Sequence, residues 1–141
     1  MRIALLLLAL LILAAGWWLW TPDRPRAWLH LRDTGPRDAP ALVLVHGFAS
    51  SLHTWEDVAP LLEDRLRVIS LDLPGFGLSP PAPDRDYSDA RAGALVLALL
   101  DELGIGRFHL AGSSMGGRIA FALAAAAPGR VERLVLMAPD G

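Results

Sequence analysis

The sequence predicts an α/β fold in which a mostly parallel sheet has helices on both faces, preceded by one amino-terminal transmembrane helix. Short apolar runs rich in Val and Leu, each bounded by turn residues, are typical of strands buried on both faces. Helical segments lie between these runs, as connections between parallel strands require. Residues 3–20 are apolar and uncharged throughout, which is the pattern of a membrane-spanning segment.

Composition limits the possible functions of the chain. Its 141 residues suit one domain beyond the apolar segment. The net charge of −2 argues against a basic surface for nucleic acid, so no nucleic-acid partner is expected. The absence of cysteine excludes disulfides and thiolate chemistry.

The predicted membrane anchor is residues 3–20. As a helix this segment rises about 27 Å, close to the thickness of a bilayer core. Trp17, Trp18 and Trp20 fit an aromatic belt at one interface with the lipid bilayer. Small residues at Ala14–Gly16 leave a second hypothesis open, a signal peptide that is cleaved to give a secreted protein.

Cleavage would leave an exposed tryptophan-rich end, so we expect an uncleaved, single-pass signal anchor. Arg2 lies on one side of the segment and Arg24 and Arg26 on the other, which gives a weak charge bias. We favour an extracytoplasmic position for the remainder of the chain. Residues 21–26, which contain proline and arginine, are predicted to be a linker.

The first strands follow the linker. Residues 27–32 alternate in polarity and predict a strand, with His30 on its polar, surface side and a turn at residues 33–36. Residues 41–45 are a continuous apolar run, as expected for a strand of a parallel sheet.

The middle of the chain continues the alternation of helices and strands. Thr54 is a candidate N-cap for a helix whose apolar face is Val58, Leu61 and Leu62. Next come a strand at 67–71 and a helix from Ser88 to about Leu103, which Gly104 ends as a left-handed cap. The last elements are a strand at 107–111, a helix at 115–127 and a strand at 131–137.

A candidate nucleophile lies where strand 107–111 meets the following helix, in Gly112-Ser113-Ser114-Met115-Gly116. Gly-x-Ser-x-Gly between a strand and a helix is the pattern of a nucleophile elbow, a strained turn that presents the serine hydroxyl. A Cβ at Gly112 or Gly116 would crowd the strand against the helix. The backbone N–H of Met115 falls in the first helical turn, where it is available to an oxyanion.

Two further motifs accompany the elbow: His46-Gly47-Phe48 after the strand at 41–45, and Asp72-x-x-Gly-x-Gly-x-Ser after the strand at 67–71. Together the three motifs resemble the α/β-hydrolase family, in the serine branch that contains esterases, carbon–carbon bond hydrolases and haloperoxidase-like enzymes. The resemblance implies that the N–H of Phe48 joins that of Met115 in an oxyanion hole. It also implies that His46, Gly47 and Asp72 support the loops around the site.

The resemblance also implies a catalytic acid and then a histidine after the serine. No histidine follows Ser114, and Asp140, at the end of the last strand, is a possible acid. We therefore expect residues 27–141 to be the amino-terminal portion of an incomplete hydrolase domain, with an exposed apolar sheet edge at 134–137. Such a chain would be inactive alone.

The function implied is that of a serine hydrolase acting on a small ester or other carbonyl compound through an acyl-enzyme at Ser114. No metal or cofactor is expected, because the glycine-rich loop at 72–79 lacks the spacing of a nucleotide-binding loop. A degenerate, non-catalytic hydrolase fold that binds a ligand or partner is the alternative.

Overall fold

A central sheet organises residues 24–140, the part of the chain that the computed structural model describes. Within those residues it has five strands in the order β1-β3-β2-β4-β5. β1 is antiparallel to β3, and the other three pairings are parallel, so the predicted mostly parallel sheet is confirmed. The strands are β1 Leu31–Thr34, β2 Ala41–Val45, β3 Arg67–Leu71, β4 Phe108–Ser113 and β5 Val131–Met137.

The predicted membrane anchor at residues 3–20 lies outside the described residues, as does the first half of the predicted linker at 21–26. Among the described residues, none of the helices combines the length and the apolar character needed to cross a membrane. The second half of the linker is ordered, because Pro25–Ala27 forms a short 3-10 helix.

Two α-helices cover one face of the sheet: α1, Asp89–Glu102, and α2, Met115–Ala126. Both predicted ends of α1 are confirmed. The Ser88 hydroxyl accepts a hydrogen bond from the Arg91 N–H at 3.2 Å, and Gly104 has a φ of +71° just beyond the helix. Alternate residues of β2, Val43 and Val45, are buried beneath these helices.

The other face of the sheet differs from the prediction. The helix expected from Thr54 is replaced by two 3-10 helices, Leu52–Trp55 and Ala59–Leu61. Pro60 lacks an N–H and its ring clashes with the preceding helical turn, so one continuous helix cannot form. The predicted apolar stripe is only partly confirmed, because Leu62 packs against the core on this face whereas Val58 and Leu61 are exposed. The buried residues of the segment are Trp55 and Ala59, which cluster with Leu42 and Leu44 of β2.

The edges of the sheet also refine the predictions. β1 begins at Leu31 and continues through Asp33 and Thr34, which had been expected to form a turn, because these residues pair with Ile69 and Val68 of β3. At the other edge β5 pairs only with β4 among the described strands, and Val135, Leu136 and Met137 are exposed. The predicted exposed apolar edge is therefore confirmed.

Candidate active site

Ser114 lies at the turn between the carboxyl end of β4 and the first residue of α2. Its φ of +52° and ψ of −124° place it in a region that residues other than glycine rarely adopt. The turn is fixed on both sides, because the Ser114 N–H donates to the Met137 carbonyl at 2.9 Å and its own carbonyl accepts from the Gly117 N–H at 2.8 Å. The strained conformation is thus held by the sheet and the helix together.

Gly112 and Gly116 allow the helix to approach the sheet at this turn. A Cβ on Gly112 would lie 2.1 Å from the Gly116 carbonyl oxygen, and one on Gly116 would lie 2.3 Å from the carbonyl oxygen of Val45. Real contacts of this kind are never so short, so any side chain would push α2 away from β2 and β4. Both glycines therefore determine where Ser114 sits.

We expect replacement of Ser114 by glycine to give a more stable protein than replacement by alanine, by about 1 kcal/mol. Neither variant has the hydroxyl, so the difference isolates the strain of a Cβ at positive φ. Urea unfolding of the two variants measures it directly. Equal free energies of unfolding would show that the serine conformation is not strained.

The segment after β2 brings a second backbone donor toward the nucleophile. A Cβ on Gly47 would contact Ser114 Cβ at 3.2 Å and lie 3.8 Å from its Oγ, so the peptide that leads to Phe48 runs beside the serine. The N–H of Met115 is in the first turn of α2, where backbone donors have no partner within the helix. The peptide before Phe48 and the first turn of α2 therefore both lie next to Ser114, and the oxyanion hole stays a prediction. The exposed Phe48 ring contacts Phe76 edge-on, at 5.8 Å between centroids.

His46 is fully buried and both of its ring nitrogens are occupied. Nε2 accepts a hydrogen bond from the Leu73 N–H at 3.0 Å, and Nδ1 donates to the Gly47 carbonyl at 2.7 Å. Burial lowers the pKa of His46, although its bond to the Gly47 carbonyl and the nearby Asp72 charge oppose this. A neutral His46 thus joins the oxyanion segment to the loop after β3.

The stability of the fold should consequently fall as the pH decreases below about 6.5, the ordinary pKa of histidine. The unfolded chain takes up a proton there, whereas His46 in the folded state resists it until a lower pH, so the unfolded state binds more protons. Denaturant unfolding between pH 8 and 5 measures the decline. His46→Gln should reduce the dependence of the unfolding free energy on pH, whereas His53→Gln, at an exposed site, should leave it unchanged. The same dependence on pH in the wild type and both variants would contradict the role given to His46.

Asp72 ties three segments together at the base of the glycine-rich loop. Its buried carboxylate accepts hydrogen bonds from the N–H groups of Leu52 at 2.6 Å and Leu78 at 2.9 Å, and contacts His30 Nδ1 at 2.8 Å. Burial acts to raise the pKa of Asp72, but these hydrogen bonds and the His30 ring together lower it below its ordinary value. The carboxylate is therefore ionised and serves to support the loop.

The expectation of a surface role for His30 is incomplete, since the ring bonds Asp72 and is only partly exposed. Its backbone N–H also donates to the Ser79 hydroxyl at 2.9 Å. His53 bonds the exposed Glu56, and His109 is 3.8 Å from Glu132. Within residues 24–140, none of the histidine rings forms a hydrogen bond with the Ser114 hydroxyl.

Asp140, the possible acid, lies at the mouth of the site rather than beside a histidine. Its Oδ2 is 3.8 Å from Nη1 of Arg118. Arg118 in turn bonds Asp89, with Nε at 2.8 Å from Oδ2 and Nη2 at 3.2 Å from Oδ1. The structure thus places Asp140 in an ion-pair cluster.

A cavity of about 540 Å³ opens beside the proposed oxyanion donors. Its walls are mainly apolar, and its polar side is formed by Asp86, Asp89 and Arg118. The apolar wall includes Phe48, Phe76, Leu95, Met115 and Ile119. No group of metal-ligating side chains occurs within residues 24–140. The cavity is suited to a molecule with a substantial apolar portion.

Sequence reasoning missed this cavity and its ion pair. Arg118 lies in the first turn of the helix that follows the elbow, so its proximity to the site could have been predicted. Asp89 is the first residue of a different helix, and no sequence signal links it to Arg118.

Comparison with known proteins shows the family. A family model described as the α/β hydrolase fold matches residues 40–140. The chain therefore belongs to the α/β hydrolase fold family, and several of the proteins it resembles are named hydrolases or esterases.

Three relatives show the range of the similarity. A 2-hydroxy-6-oxononadienedioate/2-hydroxy-6-oxononatrienedioate hydrolase of Cupriavidus pinatubonensis is 39% identical over 77% of this chain and 39% of its own length. A pimeloyl-[acyl-carrier protein] methyl ester esterase of Nitrosomonas europaea is 38% identical over 78% of this chain and 40% of its own length. The solved structure of a bacterial membrane phospholipase A is 33% identical with a TM-score of 0.75, over 99% of this chain and 52% of that one. The chain thus spans about half or less of each of these proteins.

Proposed function

We propose that the protein is a membrane-anchored serine hydrolase that cleaves carboxylic esters with an apolar acyl chain. The observation that carries the proposal is the position of Ser114, held at positive φ in the turn before α2 with the Gly47 peptide beside it. We propose that the N–H groups of Phe48 and Met115 face this serine, which is the arrangement that acyl transfer requires. The family membership supports hydrolysis as the reaction.

In the proposed reaction the Ser114 oxygen attacks the ester carbonyl carbon and its proton passes to a base. The carbonyl oxygen becomes an oxyanion that accepts hydrogen bonds from the N–H groups of Phe48 and Met115. Collapse of this intermediate breaks the bond to the alcohol, which leaves with a proton, and an acyl-enzyme remains. Water then releases the acid and restores the serine hydroxyl. Since both His46 nitrogens are occupied, His46 is not proposed as this base.

The choice of an ester with an apolar acyl chain rests on the cavity and on the relatives. The cavity walls, which include Met115, are largely apolar, so an acyl chain that binds there would be removed from water. Two of the similar proteins are, by name, an esterase and a phospholipase A, both of which cleave esters.

The proposed membrane anchor rests on residues 3–20 and on one comparison. The membrane phospholipase A aligns with 99% of this chain, a span that includes apolar residues ahead of the hydrolase region. We propose a single-pass anchor with the catalytic region on the extracytoplasmic side, and the lipid bilayer as its partner.

Ester turnover by the full natural open reading frame, as wild type and as Ser114→Ala, tests the proposal. p-Nitrophenyl hexanoate is a suitable probe, since its acyl chain fits the cavity and its product is coloured. Wild-type turnover retained by Ser114→Ala would refute the proposed nucleophile.

A further inference from the structure

Building on the proposed function, we infer that Asp89 and Arg118 determine the substrate class of the cavity by excluding acyl chains that end in a carboxylate. The pair lines the polar side of the cavity, one helical turn from Ser114. Neutral, apolar acyl chains are then the substrates, and dicarboxylate half-esters are rejected.

The guanidinium of Arg118 is already engaged by carboxylates of the protein. Nε and Nη2 both contact the Asp89 carboxylate, at 2.8 and 3.2 Å, in the paired geometry that arginine and carboxylates prefer. Nη1 faces Asp140 at 3.8 Å. Each of its three nitrogens therefore lies opposite a carboxylate of the protein.

The helices fix this pairing. Asp89 is the first residue of α1, directly after the Ser88 cap, where the partial positive charge of the helix end favours a carboxylate. Arg118 is in the first turn of α2. Gly93 of α1 packs close to Leu123 of α2, so the two helices hold the pair across the cavity.

The charge around the cavity is negative overall. Of the lining residues that the structure describes, Arg118 is the only basic one, whereas Asp86 and Asp89 are both acidic. The Ser88 backbone N–H, donating at 2.9 Å, lowers the pKa of Asp86, so that carboxylate is ionised at neutral pH. A substrate carboxylate would therefore face a net negative charge among the residues that line the cavity.

This arrangement predicts a substrate preference that differs from the one suggested by the name of a relative. The hydrolase of Cupriavidus pinatubonensis is named for a dioate, which carries two carboxylates. Removing the charge of Asp89 here would release Arg118 and provide a cation for such a group. A single substitution therefore changes the predicted specificity.

The experiment uses the full natural open reading frame and two esters with six-carbon acyl chains, p-nitrophenyl hexanoate and mono-p-nitrophenyl adipate. We expect the wild type to prefer the neutral ester by at least about tenfold in kcat/KM. Asp89→Asn should reduce this preference about three- to tenfold, and Arg118→Gln should increase it. These estimates follow from the difference in charge at the cavity.

Asp84→Asn is the matched control. Asp84 precedes α1 in the same acidic loop, but it pairs with Arg91 and does not line the cavity. The preference of Asp84→Asn for the neutral ester should stay within about twofold of the wild-type preference, since this substitution leaves the pair of Asp89 and Arg118 intact. An equal shift in Asp84→Asn and Asp89→Asn would mean that general surface charge sets selectivity, and would overturn the inference.

A binding measurement keeps the two proposals apart. Calorimetric titration of Ser114→Ala with methyl hexanoate and with monomethyl adipate, which differ only at the far end of the acyl chain, reports on the cavity without turnover. Tighter binding of methyl hexanoate, with a smaller difference once Asp89→Asn is added, supports the inference even if Ser114 proves not to be the nucleophile. Equal or tighter binding of monomethyl adipate overturns the inference alone, whereas hydrolysis by Ser114→Ala overturns the proposed function alone. If Asp89→Asn does not fold, Arg118→Gln tests the inference instead: a stronger preference for the neutral ester supports it, and an unchanged or weaker preference overturns it.

Discussion

Replacing Ser114 by alanine should lower kcat for ester hydrolysis by at least about 10⁴-fold and leave KM within about threefold. The hydroxyl forms a covalent bond only as the transition state is approached, whereas the cavity that binds the acyl chain is formed by other residues. Steady-state kinetics on p-nitrophenyl hexanoate measures both constants.

Ser113→Ala is the matched control for this experiment. Ser113 is the last residue of β4 and pairs with Met137, so its substitution preserves the elbow and should change kcat by less than about tenfold. A fluorophosphonate, which acylates activated serines, should label the wild type and Ser113→Ala but not Ser114→Ala. Labelling of Ser114→Ala would show that the nucleophile lies elsewhere in the protein.

Replacing Gly116 by alanine should destabilise the fold by at least about 3 kcal/mol. The new Cβ would meet the carbonyl oxygens of Val45 and His46 at 2.3 and 2.4 Å. Both obstacles are backbone atoms of the central strand and the segment after it, so neither can move aside as a flexible side chain would. Thermal unfolding should show a fall in Tm of about 6–12 °C.

Gly106→Ala provides the comparison, because a Cβ there has no atom within 4 Å. Its Tm should change by less than about 2 °C. Gly116→Ala should also lose most of its turnover where it remains folded, since displacement of α2 moves the Met115 N–H away from the oxyanion. A Gly116→Ala protein with wild-type stability and activity would contradict the close approach.

The elements of this fold that follow from local chemistry were predictable from the sequence. β2, β3 and β5 are bounded by turn residues and rich in Val, Leu and Ile, so their positions agree with the predictions. The Ser88 cap and the left-handed Gly104 likewise depend on residues next to the helix. The strand–turn–helix at Ser114 belongs partly to the same group, because Gly112 is required by a contact with Gly116 within the turn, whereas Gly116 is required by a contact with the distant Val45.

What could not be predicted depends on contacts between distant segments. The Asp72 carboxylate meets His30 and the Leu52 N–H, 42 and 20 residues away in the chain, and periodicity carries no information about such partners. The pairing of Arg118 with Asp89 is of the same kind. Pro60 is a partial exception, because proline is tolerated in the first turn of a helix and its position alone does not predict the two separate 3-10 helices observed here.

The positive φ of Ser114 has an evolutionary consequence. Some serine codons become glycine codons by one nucleotide change, and glycine relieves the strain of this turn without disturbing its neighbours. In a lineage that no longer used the hydroxyl, the change to glycine would be neutral for function and would stabilise the fold, so we would expect it to accumulate. Persistence of serine at this position is therefore what purifying selection for a working nucleophile would leave behind, which favours an enzyme over a binding protein that has lost its chemistry.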